Sequence, residues 1–200
     1  MITMLLSGLA GAVTWLAAEY LIHRFVGHRP SSMNPFAVEH RRHHSQGNYF
    51  APNHVKAAAA LPVIGVMLGL TTLLMGAAGA VYTLGFALTY VGYEMAHRRL
   101  HTHAPVTAFQ RWARVHHFHH HFGDVRSNHG VTSPVMDWVF GTAQKPGRIR
   151  VPRKLAMQWL VDPVTSQVRA EYANDYVLSG SAAPKDVPAA DQAAADVSAA

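Results

Sequence analysis

Chemistry in this sequence is concentrated in its histidines. Fifteen of the 200 residues are histidine, and all lie between His23 and His129. Most fall into four clusters: His23-Arg-Phe-Val-Gly-His28, His40-Arg-Arg-His43-His44, His97-Arg-Arg-Leu-His101 and His117-Phe-His-His120-His121. Residues three and four apart share one face of a helix. His40, His43 and His44 therefore present three imidazoles together, as do His117, His120 and His121, while His97 and His101 form a pair. His23 and His28 are five apart and diverge on a regular helix. Gly27 and Pro30 predict that the helix ends there, which frees His28 to turn inward. Ten converging imidazoles are too many for one tetrahedral or octahedral ion, and two ions with about five nitrogens each fit the count. The chain has no cysteine, which excludes a thiolate zinc site, a cysteine nucleophile and a disulfide-built module.

The elements that must position these rings are apolar. Residues 1–22 carry one charge, Glu19, and the 40 residues from Ala57 to Ala96 carry one, Glu94. About 20 apolar residues at 1.5 Å each span a roughly 30 Å hydrocarbon core. The stretch Met75-Gly-Ala-Ala-Gly79 divides the longer run, with Gly76 and Gly79 placed for a tight helical hairpin. The expected fold is all-α, an integral membrane bundle of about three transmembrane helices (near 2–22, 57–74 and 80–96) under a histidine-rich helical cap. A cleaved signal peptide is the competing reading of 1–22, but a basic n-region is missing and the apolar run is long. Every Lys and Arg follows the first span or the third, so the positive-inside rule places the histidine side in the cytoplasm. The bilayer expected is a bacterial inner membrane, crossed several times. Charge is uneven: 15 basic against 5 acidic residues in 1–155, and 2 against 6 in 156–200. The expected organisation is a membrane domain over 1–155, a cytoplasmic segment over 156–178 without evident chemistry, and an alanine-rich disordered tail over 179–200.

Glu19-Tyr-Leu-Ile-His23-Arg-Phe-Val-Gly-His28, the HxxHH cluster, Tyr93-Glu-Met-Ala-His97-Arg-Arg-Leu-His101 and His117-Phe-His-His120-His121 together resemble the fatty acid hydroxylase/sterol desaturase superfamily. The stretch Asn128-His-Gly-Val-Thr-Ser-Pro-Val-Met-Asp-Trp-Val-Phe-Gly-Thr142 resembles that family's segment after its last histidine cluster. The resemblance covers roughly Trp15 to Thr142. It implies a histidine-held di-iron centre and O2-dependent oxidation of lipid C–H bonds, with zinc as a substitute ion in purified samples. The ligand positions it implies are His23, His28, His40, His43, His44, His97, His101, His117, His120 and His121, with no catalytic residue apart from them. The implied partners are a lipid in the bilayer and a separate electron-transfer protein, ferredoxin or cytochrome b5-like; nucleic acid is not expected.

Glu19 lies four residues before His23, and Glu94 three before His97. Each is a candidate acceptor for a ligating ring's other N–H; a surface ion pair, Glu94 with Arg98, is the plainer alternative. His129 is a further supporting candidate. His116 and His119 alternate with the ligand triple and are expected to face away, His54 and His103 to lie on the surface, and Asp137 to tie its segment to a basic neighbour. Within the superfamily, hydroxylation of a fatty acyl chain is favoured, with sterol or carotenoid oxidation or desaturation as alternatives. A non-enzymatic membrane metal carrier is the reading from another class. An all-histidine site must be deprotonated to bind metal, so affinity is expected to fall as pH drops through about 6.5.

Overall fold

The computed structural model describes residues 1–30 and 33–180. Helix α1 (Ile2–Leu21) widens at its end into a π-helical turn, Ile22–Gly27. Then follow α2 (Pro35–Ser45), α3 (Asn53–Met75), α4 (Ala77–Thr102), α5 (Ala108–Phe122) and the short α6 (Val135–Val139). The expected all-α fold holds for most of the chain. A two-stranded parallel ladder adds to it, β1 (Ile149–Pro152) pairing with β2 (Tyr176–Ser179).

Helix α4 lies between α1 and α3 and packs on both. Small residues set how closely. A Cβ on Gly11 would lie 1.9 Å from the Tyr82 carbonyl oxygen, and one on Gly85 would lie 2.1 Å from that of Gly8. Helices in an apolar solvent gain little from hydrophobic contact, so close backbone approach and interhelical hydrogen bonds hold them together. Ser7 Oγ donates to the Ala78 carbonyl at 2.6 Å, and the Tyr82 hydroxyl to Thr14 Oγ1 at 2.8 Å. The hairpin between α3 and α4 turns on one residue, Gly76, whose φ of 60° and ψ of −139° suit glycine. Gly79 is the contact point rather than the turn: its Cβ would strike the Thr71 carbonyl oxygen at 1.9 Å.

The segment Ile2–Gly27 and helix α3 are long and apolar enough to cross a membrane. Helix α3 buries none of its residues and exposes Leu61, Val66, Leu70, Leu73 and Leu74; α4 exposes Leu84, Leu88, Val91 and Met95 along one stripe. An uninterrupted apolar surface of this kind has lipid as its natural solvent.

Beyond the helices, the chain folds back beneath α5. Phe118 of α5 packs with Ile149, Val151, Met157, Trp159, Leu160, Tyr172 and Tyr176 in one buried cluster. Residues on both sides of the boundary expected near residue 155 share this core, which covers the α5 face away from the histidines. Ser179 also belongs to β2, opposite Pro152, rather than to a tail; the remainder of that expected tail, 181–200, lies outside the described residues.

Substituting Gly11 by Ala is expected to lower stability by about 1–3 kcal/mol through forced separation of α1 and α4. At Gly65, where a Cβ meets nothing within 4 Å, the same change is expected to be neutral or to stabilise by about 0.5–1 kcal/mol. Thermal unfolding in detergent, compared between the two variants, checks both.

Candidate metal centre

The ten clustered histidines meet in two groups. His23, His28, His40, His44 and His120 form one, and His43, His97, His101, His117 and His121 the other; within each group, one ring nitrogen per residue lies within 4.8 Å of all the others. The π-turn explains the first pair. On an α-helix His23 and His28 would point about 140° apart, but i→i+5 winding brings their ring centroids to 5.2 Å. The helix ends at Gly27 with His28 as its cap, as expected, but its last turn is π-helical instead of α-helical. Gly27 keeps the turn open to α2, since a Cβ there would sit 3.1 Å from the His40 ring.

Helices α2 and α5 each serve both groups. Helix α2 gives His40 and His44 to one and His43 to the other; α5 gives His120 to one and His117 and His121 to the other. One helical face thus feeds two sites rather than one. The groups touch where His44 and His121 stack, centroids 4.0 Å apart and planes 7° from parallel. Helix starts fix the registers: Asn34 Oδ1 accepts from the Phe36 and Ala37 amides ahead of Pro35, and Thr107 Oγ1 from that of Gln110. At the other end of α4, buried Arg114 donates to the Arg99 and His103 carbonyls and the Trp159 indole to that of His101, satisfying carbonyls that a helix end leaves open.

Ring hydrogen bonds define which nitrogens remain free. His23 Nδ1–H donates to the His129 carbonyl at 2.5 Å, His43 Nδ1–H to that of Tyr49 at 2.6 Å, and His120 Nδ1–H to that of Ser127 at 2.8 Å. A ring with its Nδ1 proton so engaged presents a bare Nε2 lone pair, the form that binds a metal. The Nε2 atoms of His23, His43, His44, His97 and His121 are buried with no protein partner. Others meet nitrogen to nitrogen: His28 Nε2 lies 2.9 Å from His120 Nε2 and 3.0 Å from His40 Nε2, and His101 Nε2 lies 2.9 Å from His117 Nε2. Buried acceptors without donors, gathered in fives, fit cations; no carboxylate joins either group.

The supporting residues are partly those expected. Glu19 does not touch its neighbour His23. It accepts from the Val131 amide (2.6 Å), the Thr132 amide (3.1 Å) and the Thr132 hydroxyl (2.5 Å), stapling α1 to the loop beyond α5. His23 needs nothing from it, because His129 already takes its proton. Glu94 pairs with Lys56 of α3, neither with His97 nor with Arg98. His129 supports His23 through its backbone carbonyl, and its ring packs against His120 with centroids 5.0 Å apart. His116 turns away to Asp137 at 3.2 Å and His119 to Gln144 at 3.1 Å; His54 and His103 are exposed.

Asp137 holds no basic side chain of Lys or Arg. Its carboxylate is fully buried and accepts from the His129 amide (2.8 Å), the Gly130 amide (2.8 Å), Thr142 Oγ1 (2.7 Å) and His116. Burial alone would raise its pKa, but these donors outweigh it and keep the carboxylate below its usual range. Asn128, at φ 55°, completes the turn, its side chain bonded to the Gln144 amide at 2.7 Å. Residues 127–129 thereby offer two carbonyls, to His120 and His23, on the same group. The carbonyls of Ser127 and Tyr49 were not legible in the sequence, since every residue type carries one.

Burial pushes His43 down to about 4 despite its Tyr49 bond, and pushes His44 to about 2 with help from neighbouring imidazoles. His101, His117, His120 and His121 are driven well below the usual histidine range, by burial first and then by nearby rings. Metal loss is accordingly expected below the 6.5 of a free imidazole, where the folded rings begin to charge. Unfolded histidines take protons near 6.5, so between about 6.5 and 4 the unfolded chain binds more protons than the folded one. Stability of the metal-free protein is expected to be level above pH 6.5 and to fall steadily toward pH 4; a thermal midpoint unchanged from pH 7 to 5 overturns this. Asp137→Asn is expected to halve the metal-to-protein ratio by loosening the His23 group alone, measured by elemental analysis against unchanged helix content.

Between α1, α3 and α4 a cleft of about 340 Å³ leads to these rings, lined mainly by apolar atoms, with His23, His40, His43 and His97 at one end. The chain has relatives among known proteins. The fatty acid hydroxylase family model matches residues 8–142. Human fatty acid 2-hydroxylase is 33% identical over 143 residues, covering 66% of this chain and 38% of the relative. The dihydroceramide fatty acyl 2-hydroxylase FAH2 of Arabidopsis thaliana is 28% identical over 141 residues, covering 66% and 58%. The solved hydroxylase domain of full-length scs7p is similar with a TM-score of 0.59 at 29% identity, over 72% of this chain and 57% of that one. The chain thus spans about two fifths of the human relative's length. The matched stretch runs from the small-residue contact of α1 to the threonine bound by Asp137 and includes all ten gathered rings, so this chain belongs to the fatty acid hydroxylase family.

Proposed function

We propose that this protein is a membrane-bound hydroxylase that uses two irons, O2 and electrons from a separate protein to place a hydroxyl group on a fatty acyl chain. The observation that carries this reading is the junction of two five-nitrogen groups with an apolar cleft between lipid-facing helices. The ligands proposed are the ten residues of those groups, with Glu19, Asp137 and the carbonyls of Tyr49, Ser127 and His129 holding them. Bound there, iron supplies the O2 activation and oxidising strength that no amino-acid side chain has. Overall, one oxygen atom enters the new C–OH bond, and the other leaves as water at the expense of two electrons and two protons.

The chain's own share of the work is positional. Nδ1–carbonyl bonds keep the rings neutral and aimed. Trp15, Ile22, Phe36, Val63 and Phe86 of the cleft keep water from the reacting region. The substrate's tail already lies in the bilayer and enters sideways between α1 and α3, with α4 proposed as the third spanning helix. Electrons arrive from the other side, where exposed Arg41, Arg42, Arg98 and Arg99 surround the histidine end and suit an acidic donor. The positive-inside rule makes that side the cytoplasm.

Membranes carrying the iron-loaded chain, a reductant system and 18O2 are expected to yield hydroxylated acyl lipid with one labelled oxygen. His43→Ala and His120→Ala, one from each group, are expected to abolish it, with at least a 100-fold loss on the scale of removing a metal-orienting contact. Metal transport without labelled lipid favours a carrier; a labelled sterol or carotenoid redirects the substrate.

A further inference from the structure

The cleft has an end as well as an entrance, and the residues at that end are specific. Toward the α3–α4 hairpin, α1 and α3 each press backbone to backbone onto α4. On one side, the Gly8, Gly11 and Gly85 contacts bring the α1 and α4 backbones together. On the other, Gly79 presses on the Thr71 carbonyl, and Thr71 Oγ1 bonds the Gly79 carbonyl at 2.9 Å and meets Thr83 Oγ1 at 2.9 Å. No tail can pass between backbones in contact. The last residues to line the cleft before this closure are Trp15, one turn after Gly11, and Phe86, next to Gly85. Their rings meet edge to face with centroids 5.3 Å apart, and both are buried. Tyr90 and Tyr93 brace the indole from α4 at 4.8 and 5.5 Å.

We propose that Trp15 and Phe86 are the stop of the acyl cleft, setting the length of tail it holds beyond the reacting carbon. The inference rests on the hydroxylase reading above. Eight residues separate Trp15 from His23 and eleven separate Phe86 from His97, about 12 and 16 Å along their helices. An extended chain advances roughly 1.2 Å per bond, one third of the length of an extended residue. The stop therefore admits about ten to thirteen carbons past the site. A longer tail must bend out between α1 and α3 into lipid and lose its contacts with the cleft. Ala59 and Ala60 of α3, small and facing the same space, keep its width open above the stop.

The test uses the full, iron-loaded chain in membranes with an equimolar series of acyl lipids differing by two carbons, the hydroxylated products being resolved by mass. Wild type is expected to peak at one length and fall on the long side by about tenfold within a few carbons, the discrimination a hydrophobic pocket gives per methylene. Trp15→Ala and Phe86→Ala, on facing helices, are expected to move the peak to longer tails. Ala60→Phe is expected to move it to shorter ones. Metal content and helix signal separate a changed stop from a damaged site. If a variant loses turnover, competition among the same lipids for binding to the metal-free chain reads the preference instead. Identical length profiles for wild type and all three variants overturn the proposal, even with hydroxylation intact. No hydroxylation of any lipid by loaded wild type overturns the functional reading on which it stands.

Discussion

A neutral imidazole buried with its lone pair facing other lone pairs is the condition around which this protein is built. The ten rings are wholly or partly taken out of water, and at His117 and His120 burial and the neighbouring rings oppose the proton. What remains is a set of ring nitrogens with few donors among them, an arrangement that suits a cation. That single requirement explains features that look unrelated. A π-turn costs regular helix geometry but brings His23 and His28 together. A buried carboxylate at Asp137 spends its oxygens on a loop so that two carbonyls of that loop can hold two rings. Arg114 and Trp159 close the end of α4 so that His97 and His101 have a fixed base.

The division of labour between helices follows from the same need. Helices from the apolar layer deliver two rings to each group, which ties the site to the plane of the bilayer. The α2 and α5 helices lie across them and contribute to both groups, so neither group can move without the other. The cleft lies between α1 and α3 over α4, and it shares His23, His40, His43 and His97 with the two groups. In the proposed function, substrate access and metal binding are therefore two faces of one packing arrangement. The segment after residue 145, silent as chemistry, matters because its aromatic core braces the back of α5.

Much of this was legible in the residues themselves. Spacings of three and four are geometric statements about a helix face, and the ten rings that they single out are the ten that converge. Apolar length foretold the long helices, and Gly76 the turn between two of them. Where the reading failed, it assumed that sequence neighbours are partners. Glu19 and Glu94 sit one turn from ligand candidates, yet each answers a donor far along the chain, the loop at 131–132 and Lys56. Gly27 and Pro30 mark the helix end, but the π-turn that precedes it has no sequence signature of its own. A sheet of two short strands joining residues 149–152 to 176–179 was likewise invisible, since neither strand alternates over enough residues to announce itself.

The sequence by itself determined which atoms could bind metal and that they would gather at the ends of apolar helices, because side-chain chemistry and helical periodicity are local properties. Only the tertiary structure decided how the ten divide into two fives, which backbone carbonyls hold their rings, and where the apolar cleft meets them. Those depend on backbone carbonyls and on contacts between residues a hundred positions apart, and no local pattern encodes a partner that the fold alone brings near.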